Sequence, residues 1–153
     1  MPNTYTKLYA HVVFAVRGRE SLISGSWQQE LYKYISGIIK EKKQKLYIIN
    51  GMPDHLHLLI SIGPDIPLSD LIRDIKASSS KWINEKDFVK GKFYWQEGFA
   101  AFSYGESQLP VLINYIKNQE EHHKKKSFKD EYLKLLQSFK VDFNERYLFE
   151  FYE

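Results

Sequence analysis

The stretch "GMPDHLHLLISI", residues 51–62, decides how the rest of the chain is read. Gly51 to Asp54 have turn chemistry, and the residues after them are strand-forming. Successive strand side chains point to opposite faces, so residues two apart share a side. Leu56, Leu58, Ile60 and Ile62 therefore make one apolar face, while His55, His57, Leu59 and Ser61 make the other. The first face is built for a core. The second presents two imidazoles side by side at one end of the strand.

Working outward, "KLYIIN" (45–50) precedes the turn as a second strand, which predicts an antiparallel pair. "LYAHVVFAV" (8–16) is rich in β-branched and aromatic residues and ends at "RGRE", which predicts an opening strand. Between these lies "SWQQELYKYISGIIKEKK" (26–43), where Trp27, Leu31, Ile35 and Ile38 recur at helical spacing. A second helix is predicted over 68–86, with Leu68, Leu71, Ile72, Ile75 and Trp82 on one side. "KFYWQEGFAAFSY" (92–104) reads as strand material broken at Gly98. A third helix begins near Ser107, tolerates Pro110 in its first turn, and runs on through 111–126. Ser127 and Asp130 have the form of a capping box for a short last helix over 128–139. The tail 141–153 has no clear pattern. The element order predicts an α+β, ferredoxin-like domain whose central antiparallel sheet packs against helices. A length of 153 residues without linker or repeat suits one domain spanning 1–153.

Composition narrows the classes. Apolar residues are 43% and aromatics 16% of the chain, enough for a core and too many for a disordered segment. The absence of cysteine excludes a disulfide framework and a thiolate metal site. No apolar run approaches the roughly 20 residues of a membrane-spanning helix, and no secretory leader is visible, so a soluble cytoplasmic protein with no membrane partner is expected. A net charge of +3 permits a nucleic-acid partner without requiring one.

His55 and His57 offer half of a metal site, or else two histidines satisfied by hydrogen bonds. An oxygen-preferring ion needs further ligands. The predicted third helix supplies candidates beside its apolar stripe of Leu109, Leu112, Ile113 and Ile116. Tyr115, Gln119 and His122 stand at i, i+4 and i+7 and form a separate polar line.

Taken together, "PDHLHLLI" and, some sixty residues later, "YIKNQEEHHKK" resemble the single-tyrosine transposases of small bacterial insertion sequences, the IS200-like family within the HUH endonuclease superfamily. The resemblance covers almost the whole chain, including "RGRE" and "YWQEGFAAFSY", and His55-Leu56-His57 is its HUH motif. It implies a metal-dependent single-strand DNA endonuclease and strand transferase. His55 and His57 match the metal-binding pair, Gln119 the third protein ligand, and Tyr115 the nucleophile. The resemblance further implies Mg2+ or Mn2+, no nucleotide cofactor, hairpin-marked single-stranded DNA as substrate, and a homodimer whose subunits can share active sites. Attack by Tyr115 would leave a 5′-phosphotyrosine and a free 3′-hydroxyl, and a second 3′-hydroxyl could reverse the step.

Basic residues suit such a substrate. "KEKKQK" (40–45) and "KKKSFK" (124–129) are clusters, and Lys124, Lys125 and Lys126 extend the tyrosine helix. The same lysines also suit a solvated helix end. Arg17, Arg19, Arg73 and Lys76 are further DNA-binding candidates. Asp54 could orient a histidine, and His122 could serve an auxiliary phosphate or proton-transfer role. Three rival readings remain: a domesticated relative that cuts host repeat hairpins, a non-catalytic nucleic-acid-binding module, and a structural zinc site on His55 and His57.

Overall fold

The histidine strand lies inside a four-stranded sheet. The computed structural model describes residues 3–152. Strands β1 (Tyr9–Ala15), β2 (Lys45–Met52), β3 (His55–Ser61) and β4 (Ala100–Ser103) stand in the order β2-β3-β1-β4. Every neighbouring pair is antiparallel. With α1 (Gln28–Glu41) between β1 and β2, and α2 (Leu68–Lys86) between β3 and β4, this is the ferredoxin-like order. The expectations of an α+β class and a central antiparallel sheet both hold.

Alternation along β3 sorts the core. Leu56, Leu58 and Ile60 pair in register with Phe14, Val12 and Ala10 of β1, and all six are buried with Leu31 and Ile35 of α1 and Leu71 and Ile75 of α2. Trp27 stacks on Phe88, and Tyr34 stacks on Trp82, with ring centroids 5.0 and 4.7 Å apart. The second stack clamps α1 to α2, and the first joins the residue before α1 to the segment after α2. Each fully buried aliphatic side chain on this face contributes about 1.5–3 kcal/mol relative to exposure.

The opposite face is also covered. Leu59 packs with Leu109, Leu112 and Ile116 of α3 (Leu109–Lys117). Phe128, Tyr132 and Leu136 of α5 (Phe128–Ser138) join the core over Phe102 of β4. His55 and His57 are therefore completely buried, not displayed on an open sheet. The sequence does not show this, because antiparallel strands with one face wet or covered can share the same alternation.

Three local expectations change. The single helix predicted over 111–126 is two, α3 and α4 (Gln119–His123), broken at Asn118, whose φ is −98° and ψ 27°. The strand material of 92–104 pairs only over Ala100–Ser103, plus one bridge between Trp95 and Val16. The capping box at Ser127 is present on the serine side, whose hydroxyl accepts from the Asp130 N–H at 3.1 Å. The tail forms no strand among the described residues. It lies against β1's end, where Gln96 bonds both Val16 O and the backbone of Glu150. Among the described residues no helix is long and apolar enough to cross a membrane.

Candidate metal and nucleophile site

The sheet face that carries His55 and His57 also carries His11, because β1 pairs His11 with Leu59 and Ala15 with His55. α4 and α5 cover this end. All five histidines of the chain converge here: His11, His55 and His57 from the sheet, and His122 and His123 from α4. At their centre is Glu131 of α5, 2% exposed.

Glu131 Oε1 lies 3.1 Å from His57 Nε2, 3.1 Å from His123 Nε2 and 3.5 Å from His55 Nε2. Its Oε2 accepts from Gln119 Nε2 at 3.0 Å and from the Tyr115 hydroxyl in a short hydrogen bond. His122 Nε2 is 3.4 Å from the same oxygen. The polar line read from sequence, Tyr115, Gln119 and His122, is thus real, and its three side chains share one carboxylate. The break at Asn118 leaves the line intact, since the His122 N–H still reaches the Asn118 carbonyl at 3.0 Å.

Each of the three imidazoles around Glu131 Oε1 has a second anchor. His55 Nδ1 is 2.7 Å from Asp54 Oδ1, so Asp54 sits where the sequence suggested an orienting carboxylate. His57 Nδ1 is 2.7 Å from His11 Nε2, and His123 Nδ1 is 2.8 Å from the Lys126 carbonyl oxygen. Phe128 stacks on the His55 ring at 3.8 Å and 3°, fixing its plane.

The electrostatics follow from burial and this crowd of partners. Burial opposes charge on His55, but hydrogen bonds and charges from Asp54 and Glu131 outweigh it and push His55 up to about 9. Burial wins at His57, with its neighbours His55 and His123 adding to the fall, and its value is lowered. Burial also lowers His11 well below the usual range, and His57 adds to this. Burial would raise the Glu131 carboxyl, yet hydrogen bonds from His123, His55 and His57 hold it well below the carboxylate range. Tyr115 is pushed far up by burial and then by the Glu131 charge, so its hydroxyl is firmly protonated beside a bare carboxylate.

His55, His57, His123 and Glu131 offer ligand atoms all within 4.8 Å of one another, a donor set that could hold a divalent metal. A cavity of about 530 Å³ between α3 and α5 opens on this cluster. Tyr104, Tyr115, His122, Lys126, Lys134 and Leu135 are among its walls, so Tyr115 can be approached from outside.

The structure gathers Asp54, His55, His57, Tyr115, Gln119 and His122, and separates the basic candidates. Lys126 lines the cavity. Lys124 pairs with Glu121 at 2.8 Å, and Lys125 is exposed. Arg17 and Arg19 lie over the rings of Tyr94 and Tyr152. Arg73 faces Asp70 and Asp74, while Lys76 donates to the carbonyls of Gln96 and Gly98, both on α2 across the sheet from the histidines. Sequence reasoning missed His11, His123, Glu131 and Lys134. A signal for Glu131 existed: it interrupts the apolar stripe of Phe128, Tyr132, Leu135 and Leu136 with a charge.

Comparison with known proteins identifies the family to which this fold belongs. Residues 4–119 match the family described as "Transposase IS200 like". The ISDra2 transposase TnpA of Deinococcus radiodurans is 22% identical over 120 residues, covering 75% of this chain and 86% of that protein. The transposase of insertion sequence IS200 from Salmonella typhimurium is 24% identical over 119 residues, covering 74% and 78%. A crystal structure of a Deinococcus radiodurans protein assigned as a transposase superposes with a TM-score of 0.61 at 20% identity, covering 76% of this chain and 94% of that one. A REP-associated tyrosine transposase bound to a REP hairpin gives 0.61 at 18% identity, covering 79% and 72%. With the family match spanning most of the chain and holding both histidines of the HUH motif, Tyr115 and Gln119, this protein belongs to the IS200-like transposases.

Proposed function

We propose that residues 1–153 form a single HUH-type transposase domain that cleaves and rejoins single-stranded DNA through a 5′-phosphotyrosine at Tyr115. One observation carries the reading. The Tyr115 hydroxyl and the donor atoms of His55, His57 and Gln119 meet at one buried carboxylate that an external cavity reaches.

The donors fit a divalent cation, Mg2+ or Mn2+, held by His55, His57 and Gln119, because imidazole nitrogens and an amide oxygen converge with a buried carboxylate at the wall of the cavity. Bound there, the ion would neutralise the scissile phosphate and favour departure of the 3′ oxygen. The chain's own residues do the rest. As the Tyr115 oxygen forms its bond to phosphorus, the P–O3′ bond breaks and the tyrosine proton must leave. Glu131 Oε2 already accepts that proton's hydrogen bond and is the acceptor in place. Asp54 and Phe128 keep His55 from turning. Lys126 and Lys134, at the cavity wall, supply positive charge for the DNA backbone. Reversal by another 3′-hydroxyl rejoins strands, so no nucleotide cofactor is needed.

Single-stranded DNA marked by hairpins is the proposed substrate, supported by the resemblance to a transposase bound to a REP hairpin. That neighbour also favours a second reading, a domesticated enzyme that cuts host repeat hairpins. We further propose a homodimer working on DNA in the cytoplasm. Mixing a Tyr115→Phe protein with a His57→Ala protein would restore cutting if subunits share sites.

The deciding experiment is covalent capture. Protein is mixed with denatured genomic DNA of its source, with and without Mn2+, denatured, and mapped for attached nucleotide. A metal-dependent adduct on Tyr115, lost in Tyr115→Phe, is expected, and the captured DNA separates element ends from host repeats. An adduct on another tyrosine would overturn the nucleophile. Tight hairpin binding without metal or adduct would favour the non-catalytic binding module.

A further inference from the structure

The family match ends at Gln119, yet two of the groups nearest His55 and His57 lie beyond it, His123 and Glu131. We propose that both are metal ligands, so the cation is held by three imidazoles, a carboxylate and an amide oxygen, and Mn2+ is bound in preference to Mg2+. This rests on the reading that a divalent ion binds at His55 and His57.

The partner on Nδ1 fixes the neutral tautomer of each ring. A carboxylate at neutral pH only accepts hydrogen bonds, as does a backbone carbonyl. His55 Nδ1 faces Asp54 Oδ1 at 2.7 Å, so the proton of the neutral ring is on Nδ1 and Nε2 carries a bare lone pair. His123 Nδ1 faces the Lys126 carbonyl at 2.8 Å, with the same consequence. The Gln119 amide is also fixed, because its nitrogen must be the end that donates to Glu131 Oε2. Its oxygen therefore points at the histidines, 3.3 Å from His55 Nε2 and 3.0 Å from His123 Nε2. Glu131 Oε1 completes the ring, 3.1 Å from His123 Nε2 and 3.5 Å from His55 Nε2.

In these neutral tautomers, the form in which imidazole binds a metal, four lone-pair atoms converge on one point: His55 Nε2, His123 Nε2, Gln119 Oε1 and Glu131 Oε1. Without a cation, imidazole protons bridge the rings to Glu131; a divalent cation displaces those protons and takes their place. The spacing fits one: ligands about 2.1 Å from a common ion lie about 3.0 Å apart at right angles and about 3.4 Å apart at tetrahedral angles. The separations that involve the Gln119 and Glu131 oxygens run from 3.0 to 3.5 Å, and the ligand atoms of His55, His57, His123 and Glu131 all lie within 4.8 Å of one another. His57 Nε2, 3.1 Å from the same carboxylate oxygen, takes the remaining place.

Donor chemistry then sets the preference. Mg2+ favours oxygen and keeps most of its water, whereas imidazole suits transition metals. Three nitrogens among five protein ligands leave little for Mg2+. α5 becomes part of the metal centre, and Glu131 joins it to the nucleophile through Tyr115.

The test is Mn2+ binding to the full chain, followed by calorimetry and by the electron paramagnetic signal of free Mn2+, with urea midpoints as a folding control. Wild type should bind Mn2+ at least about tenfold more tightly than Mg2+. Glu131→Gln and His123→Gln should each weaken Mn2+ binding by more than the roughly 10- to 100-fold that loss of an outer partner costs. Unchanged or tighter binding in either variant overturns the assignment of that residue, and tighter binding in Glu131→Gln would mark the carboxylate as a plug. If His57→Ala loses Mn2+ while both other variants keep it, this inference fails and the proposed function stands. No binding by wild type defeats the cation reading itself. For a variant that does not fold, nitrogen modulation of the Mn2+ signal in wild type decides: three coordinated imidazoles support His123, and two exclude it.

Discussion

Replacing Gly51 by alanine should damage the site without removing any of its chemical groups. Gly51 pairs with Leu56 in the β2–β3 ladder, one position from His55. A Cβ added there would fall inside contact distance of the His55 carbonyl oxygen and 3.0 Å from both Cα and Cδ2 of Leu56. The first obstacle is backbone and has no rotamer to move into, so β2 and β3 must part at His55. Overpacking of this kind costs about 1–3 kcal/mol. For a chain near 150 residues that lowers Tm by roughly 2–4 °C per kcal/mol. The parting also draws His55 away from Asp54 and Glu131, now 2.7 and 3.5 Å distant. A displacement of about 1 Å suffices for on the order of 10²-fold loss in a positioned reaction. Urea unfolding should show the stability loss, and Mn2+ titration with single-turnover cleavage should show the functional one. A Gly51→Ala protein within about 0.5 kcal/mol of wild type, with unaltered metal affinity, would refute the close-approach argument.

Two further outcomes are expected. In chelator, the protein should lose stability as pH rises from about 6.5 to 9. His55 is raised to about 9 when folded, so its contribution is complete below its unfolded value and disappears as pH climbs through the folded one, on the order of 3 kcal/mol at most. His57 and His11 are lowered, so their contribution is lost on acidification instead. Urea midpoints that stay flat or rise from pH 6.5 to 9 would contradict the His55 environment. Lys126→Ala and Lys134→Ala, both on the cavity wall, should each weaken single-stranded DNA binding for all sequences and reduce the salt slope by about 0.7. A slope equal to that of wild type in both would remove the cavity from the DNA path.

The legible part of this protein was its local part. Alternation in Leu56–Ile62 placed the two histidines on one face, and helical spacing put Tyr115, Gln119 and His122 on one line. Both are consequences of fixed backbone periods, 2 for a strand and 3.6 for a helix, so neighbours along the chain reveal them. The family resemblance then tied the two fragments together. The order of α and β elements, and with it the antiparallel sheet, was readable for the same reason.

The tertiary structure alone decided what the histidines face. Glu131 is 74 residues from His57, and His11 is 46 residues away, so no local period relates either to the motif. Their meeting depends on β1 pairing with β3 and on α5 lying across the sheet, which are products of long-range burial. The same docking turns an apparent open face into a covered one and pushes the His55 and His57 protonation equilibria in opposite directions. A residue's type sets which atoms it can offer. How those atoms behave depends on the water that is excluded and the charges that are brought close, and both belong to the fold.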